Sequence, residues 1–325
     1  MKNNKLINLY HSFFRSREEE RDEALIRGFI GKFPKNTPYD LEIIDQYFND
    51  PQFVEKEIIR YILDMEHLDL DMEYLSLYGK QMNASAVKSD EDRIIYMDEL
   101  LTYTTISFFL TVYSYAFDKS KENTDRCVKN FYSLLEIQGK CHTIAVHSIS
   151  EILEMITLPK NIIDLATDTF WNAWTFVIGH ELFHLTVNKK LSELQEEYSA
   201  DTYGYQVLLH MMEEQKKDKI PKNIKVYYEY LYLSPVMLFA YFDLLDEYRS
   251  LAGININYLN HPSPEERQKH IFEMFDTDVP DDFDTVQGNE LLNIFLDSVG
   301  FLKSMVYQLS LIESREEFVN GGQII

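Results

Sequence analysis

Apolar positions recur along most of this chain at helical intervals and alternate in only two short stretches. Charge-rich helices are predicted at Asn4 to Arg27, Asp40 to Phe48 and Gln52 to Asp64, the first broken near Gly28, Gly31 and Pro34. From Met72 the pattern changes. Glu73 to Tyr78 alternates loosely and Arg93 to Asp98 is a short β-like run, together predicting a small antiparallel sheet. Helices follow at Leu100 to Phe117, Thr124 to Leu135 and Ile149 to Ile156. The stretch from about Ala166 to Asn188 carries Trp171, Trp174, Phe176, Val177, Ile178, Leu182, Phe183 and Leu185, apolar on nearly every side, and so predicts a helix buried in the middle of a domain. Ser192 with Gln195 forms a capping-box pattern that opens the next helix. Two more are expected at Ile224 to Arg249 and Asn289 to Ile312, with a loop holding His261-Pro262-Ser263-Pro264 between them. The expected class is α+β: mainly helical, with a small antiparallel sheet. Residues 1–70 read as a helical N-terminal region for recognition or partner binding, and residues 71–325 as the main domain.

Composition narrows the picture. The chain is 45% hydrophobic and 14% aromatic, values of a folded protein, and its 11 glycines and 9 prolines in 325 residues fit long helices with few tight turns. A formal charge of −23 disfavours nucleic acid and anionic membranes as partners. Leu100 to Phe117 approaches the length of a membrane span, but Thr102, Thr104, Thr105, Ser107, Thr111 and Ser114 make it a better buried core helix. Met1 to Glu20 has no apolar core of a signal peptide, and Cys127 and Cys141 have neither disulfide-scaffold nor metal-ligand spacing. A soluble, cytoplasmic protein is expected.

The candidate chemistry is concentrated at His180-Glu181-Leu182-Phe183-His184. Imidazoles at i and i+4 share one helix face and can point at one metal ion, and the glutamate between them can take a proton from a water there. Zinc in a hydrolase takes three protein ligands and keeps a position open. If the chain reverses between Asn188 and Ser192, His184 lies ~6 Å before the turn and Glu197 ~7.5 Å beyond it, at the helical rise per residue. Glu197 is therefore the predicted third ligand, with Glu196 projecting about 100° away. One turn further, Asp201 comes level with His180, placed to accept its second N–H and fix its tautomer. Small Ala200 beside it would let the helices approach. Without the histidine motif, Glu193, Glu196, Glu197 and Asp201 would read as a solvated acidic face.

Gly179-His180-Glu181-x-x-His184, Glu197-x-x-Ala200-Asp201 and His261-Pro262-x-x-x-x-Arg267, in that order, resemble the motifs of gluzincin metallopeptidases related to the CAAX prenyl proteases, and more closely their soluble relatives, the Lit-type phage-exclusion peptidases. The resemblance spans about Trp171 to Ile271. It implies a zincin-like core around a buried active-site helix, zinc held by His180, His184 and Glu197, and Glu181 as general base. It also implies that His261 steadies an oxyanion or occupies the open metal position, and that Arg267 holds the loop or a ligand carboxylate. The chain departs from the pattern at Asn260, where threonine is usual, at Gln268, where isoleucine is expected, and in the short gap from His184 to Glu197. These departures bear on substrate class.

The expected function is hydrolysis of a peptide bond in a protein substrate by a zinc endopeptidase, either a regulator or a host-defence protease answering to a protein or peptide trigger. The substrate strand would pair with a sheet edge near Arg93 to Asp98. A different class stays open: a non-catalytic, zinc-stabilised module whose site is closed by His261 as a permanent fourth ligand. His142 and His147 near Cys141 have the wrong spacing for one helix face.

Overall fold

The computed structural model describes residues 53–77, 84–89, 92–140, 158–187, 191–217, 219–220, 228–251 and 261–321. The helices expected at Asn4 to Arg27, Asp40 to Phe48 and Ile149 to Ile156 lie outside these residues, as do Cys141, His142 and His147.

Helix α1 (Phe53–Met65) turns Val54, Ile58, Ile59 and Ile62 into the same core as the rest of the described chain. The strands β1 (Glu73–Leu77), β2 (Ala84–Lys88) and β3 (Arg93–Asp98) form a sheet in the order β1-β3-β2. β2 and β3 are an antiparallel hairpin, whereas β1 runs parallel to β3. The sheet is thus mixed, which corrects the expected antiparallel one. The chain leaves β1, crosses to the far side for β2 and returns through the middle, and two reversals restore the direction. β3 is consequently the central strand, with Ile94, Ile95 and Met97 fully buried. Burial on both faces also explains its unbroken apolar run.

α2 (Glu99–Phe117) is the threonine-rich helix, and it is a core element. Two of its buried hydroxyls bond backward along the helix, Thr111 Oγ1 donating to Ser107 O at 2.8 Å and Thr104 Oγ1 to Leu101 O at 3.2 Å, and Ser114 Oγ donates to Asn123 Oδ1 at 3.0 Å. No helix among the described residues is long and apolar enough to cross a membrane. α3 (Lys121–Lys140) packs on α2, and α4 (Lys160–Thr186) runs through the centre, against α2, β2 and two later helices. α4 starts six residues earlier than the apolar run suggested, directly after Pro159, because Ile162 already faces the core. α5 (Glu193–Lys216) opens with the predicted capping box, Ser192 and Gln195 each satisfying the other's backbone N–H.

After a 3-10 turn (Glu229–Leu231) come α6 (Ser234–Leu251), α7 (Pro264–Asp278) and α8 (Thr285–Gly321). α7 is the helix absent from the sequence reading. Its signal was present in Ser263-Pro264-Glu265-Glu266, where Ser263 and Glu266 form a second capping box and Pro264 sits at the first helical position. The turn chemistry of the preceding His-Pro pair obscured it.

Candidate metal centre

α4 and α5 lie antiparallel and unusually close. A Cβ built on Gly204 would meet Phe176 O at 2.6 Å, and one on Gly179 would meet Gly204 Cα at 2.9 Å. Two glycines, more than Ala200, make this approach possible, although Ala200 is also fully buried at the interface. The close crossing brings carboxylates of α5 within reach of both motif histidines.

His180 Nε2 and His184 Nε2 lie 3.1 Å apart. Glu197 faces both, Oε2 at 3.5 Å from His180 Nε2 and Oε1 at 3.6 Å from His184 Nε2. The donor atoms of His180, His184 and Glu197 all fall within 4.8 Å of one another, and this buried group could hold a metal ion. The other ring nitrogens explain which atoms face inward. His180 Nδ1 lies 2.9 Å from Asp201 Oδ1, and His184 Nδ1 lies 2.9 Å from Glu196 Oε1. An ionised carboxylate can only accept, so each Nδ1 is the protonated nitrogen and each Nε2 presents to the centre. Two such nitrogens and a carboxylate converging in a buried place call for a cation, either a proton or a metal.

Asp201 is itself held. Arg267 Nε donates to its Oδ2 at 2.8 Å while Arg267 Nη2 donates to Oδ1, a two-pronged pair across helices α5 and α7. The guanidinium also stacks over the Phe239 ring, 4.4 Å from its centroid. The order from the metal group outward is therefore His180, Asp201, Arg267 and Phe239. Arg267 grips the carboxylate that pairs with His180.

Electrostatics follow from burial and this pairing. Burial works against a charged His180, but the hydrogen bonds to Asp201 and Glu197 outweigh it and lift the imidazole to about 9 in the metal-free protein. Burial likewise pushes the Glu197 and Asp201 carboxyls up. The His180 hydrogen bond and the nearby cations bring Glu197 down to about 2, and Arg267 brings Asp201 down to about 2. Glu181 is different: buried at 6% exposure, it is raised by desolvation against the opposing pull of His180 and His184.

His261 stands at the rim. Its side chain is 69% exposed, and its Nδ1 lies 3.2 Å from Glu197 Oε1. All the site residues expected from sequence come together here: His180, His184 and Glu197 at the centre, Glu181 near enough to feel their charges, Asp201 and Arg267 behind, and His261 in front. One was missed. Glu196, set aside as projecting away from Glu197, is the hydrogen-bond partner of His184. The signal that could have found it is the lack of any assigned partner for the second ring nitrogen of His184. Elsewhere, His210 pairs with Glu66 at 3.2 Å and His270 with Thr202 at 2.9 Å, while Cys127 is buried and free.

No protein-family model, curated protein or solved structure matches this chain.

Proposed function

We propose that the chain is a zinc-dependent endopeptidase that hydrolyses a peptide bond of a protein substrate, as its gluzincin-like motifs imply. The observation that carries this reading is the shape of the donor group. Zinc bonds of about 2.0–2.2 Å in a tetrahedron separate neighbouring ligands by roughly 3.3–3.5 Å. His180 Nε2 and His184 Nε2 lie 3.1 Å apart, and Glu197 sets one carboxylate oxygen 3.5 Å from His180 Nε2 and the other 3.6 Å from His184 Nε2, spacings near those values. Two imidazoles and one carboxylate are also a donor set used by catalytic zinc sites, which leave a position for water. When bound, the ion would polarise a scissile carbonyl and acidify the attacking water.

The protein's own groups then have definite tasks. Glu181 accepts the proton of the attacking water and passes it to the leaving amine, and its raised affinity for a proton fits both steps. Asp201 and Glu196 keep both histidines in the tautomer whose Nε2 is free to bind. His261, exposed at the rim, is available to a developing oxyanion. The strand expected to receive substrate, Arg93 to Asp98, cannot do so: as the central strand it is paired on both sides. β2 is an edge strand and packs against α4, so an extended peptide would add there.

The rival is a closed zinc module without activity, and it requires His261 to complete the site. Against it, the nearest partner of His261 is the Glu197 carboxylate, and the imidazole is largely exposed. The deciding experiment pairs elemental analysis of protein purified without added metal with a proteome-wide cleavage comparison of wild type and Glu181→Gln. One zinc per chain in both proteins is expected, with cleavage products only from wild type. A variant as active as wild type would exclude Glu181 as the base, and protein without zinc would remove the hydrolase reading altogether. The proteins cut would show whether the protease serves host defence against phage or another regulatory pathway.

A further inference from the structure

The last residue of β2 reaches the end of the motif helix. Lys88 Nζ donates to His184 O at 2.9 Å and to Val187 O at 2.7 Å, across 96 and 99 positions of sequence respectively. The final carbonyls of an α-helix have no N–H partner within the helix, and the helix dipole makes that end negative. A lysine there satisfies two carbonyls and places its charge at the favourable end. Val187 is the C-cap residue of α4, its own N–H already spent on Phe183 O. The ammonium is therefore an external tie on the end of this helix.

Two features make the tie more than a helix cap. One of the two carbonyls belongs to His184, whose Nε2 is part of the donor group. The lysine, in turn, ends the edge strand: Lys88 is the register partner of Arg93 in the antiparallel β2–β3 ladder. Immediately beyond, the hairpin is closed by Ser89 N donating to Asp92 O at 2.8 Å and Asp92 N to Ser89 Oγ at 3.0 Å. Strand position and metal-ligand backbone are thus joined through a single side chain.

We infer that Lys88 is a positioning residue that sets the height of the β2 edge over His184, and so aligns a peptide on that edge with the metal centre. The inference rests on the peptidase reading for its function but on the Lys88–α4 contact for its geometry, and the two can be tested apart. Lys88→Met keeps the aliphatic stem and removes the donors; Lys88→Arg keeps donors and charge. Both are made in the full chain, loaded with cobalt(II), and compared with wild type by amide hydrogen exchange, visible absorption and cleavage of a quenched-fluorescent peptide library.

In Lys88→Met both bonds are lost, and exchange at residues 184–187 should quicken by about tenfold or more, since one charge-assisted hydrogen bond alone is worth about that factor. The cobalt bands should shift as His184 relaxes, and KM should rise more than kcat falls. Lys88→Arg should restore all three. Unchanged exchange in the methionine variant overturns the inference. So does faster exchange with an unshifted cobalt spectrum and unaltered KM, which would leave Lys88 as a helix cap only. If wild type takes up no cobalt and cleaves nothing, the peptidase reading fails instead. Hydrogen exchange then still decides whether Lys88 ties β2 to α4.

Discussion

The two histidines of the centre are chemically alike and mechanically unlike. His180 is held by Asp201, whose side chain is wholly buried, and Asp201 is held by Arg267 stacked on Phe239. His184 is held by Glu196, 32% exposed, and by an exposed lysine on its backbone carbonyl. Ion pairs in water are screened and contribute little, whereas a buried charge left without its partner is expensive. The same chemical task, orienting an imidazole, is thus tied to folding on the inner side and nearly independent of it on the outer side. The inner half is buried and doubly paired, and the outer half is open to solvent.

Breaking the inner half should have the largest effect. Asp201→Ala leaves the partly buried Arg267 guanidinium without its carboxylate and should cost about 3 kcal/mol, measured by chemical denaturation of the metal-free protein. A loss below about 1 kcal/mol would mean that the pair is not a structural element. Next is the crossing that brings the two halves together. Gly204→Ala puts a methyl group against Phe176 O, and overpacking of this kind should destabilise by about 1–3 kcal/mol and lower metal content with it.

Glu196→Gln tests the outer half. Zinc affinity, measured by competition with a chromophoric chelator, should fall by about 10- to 100-fold, while stability of the metal-free protein moves by less than ~0.5 kcal/mol. If this variant unfolds the protein as Asp201→Ala does, the contrast between the halves is wrong.

The effects of pH have a definite sign. His180 is raised to about 9 in the metal-free protein, so a metal must displace a proton at neutral pH. Zinc affinity should climb by about tenfold per pH unit for that proton and level off near pH 9. The same shift means that His180 stabilises the metal-free fold fully below its unfolded pKa, and that this contribution is lost as pH rises through about 9. Asp201, lowered to about 2, acts in the opposite sense: its contribution is present above its unfolded value near 3.9 and is lost as pH falls through about 2. Denaturation midpoints of metal-free protein across this range should form a dome, and Asp201→Asn should flatten its acid side.

Much of the centre was legible because it is local. His180, Glu181 and His184 share one helix, and the spacing of an α-helix does not depend on what surrounds it. Ser192 and Gln195 announce the start of α5, so counting from the cap was enough to bring Glu197 to His184 and Asp201 to His180. The buried character of α4 followed from its unbroken apolar surface, and the core placement of α2 from hydroxyls that a membrane would not favour.

Tertiary packing decided the rest. Which of two adjacent glutamates meets which ring nitrogen depends on the roll of α5 against α4, and that roll is set by Gly179 and Gly204 touching, a contact between residues in different helices. Arg267 reaches Asp201 from 66 positions away on a helix hidden behind a turn-forming His-Pro pair. Strand order is likewise non-local: alternation identifies a strand without saying what lies beside it, so only the folded sheet shows β3 in the middle and β2 at the edge. The sequence by itself determined the candidate donor residues and their order along two helices, because helical periodicity is a property of the backbone. Only the folded chain decided how firmly each donor is held and which sheet edge lies beside α4, because both depend on surfaces that meet after distant segments have packed.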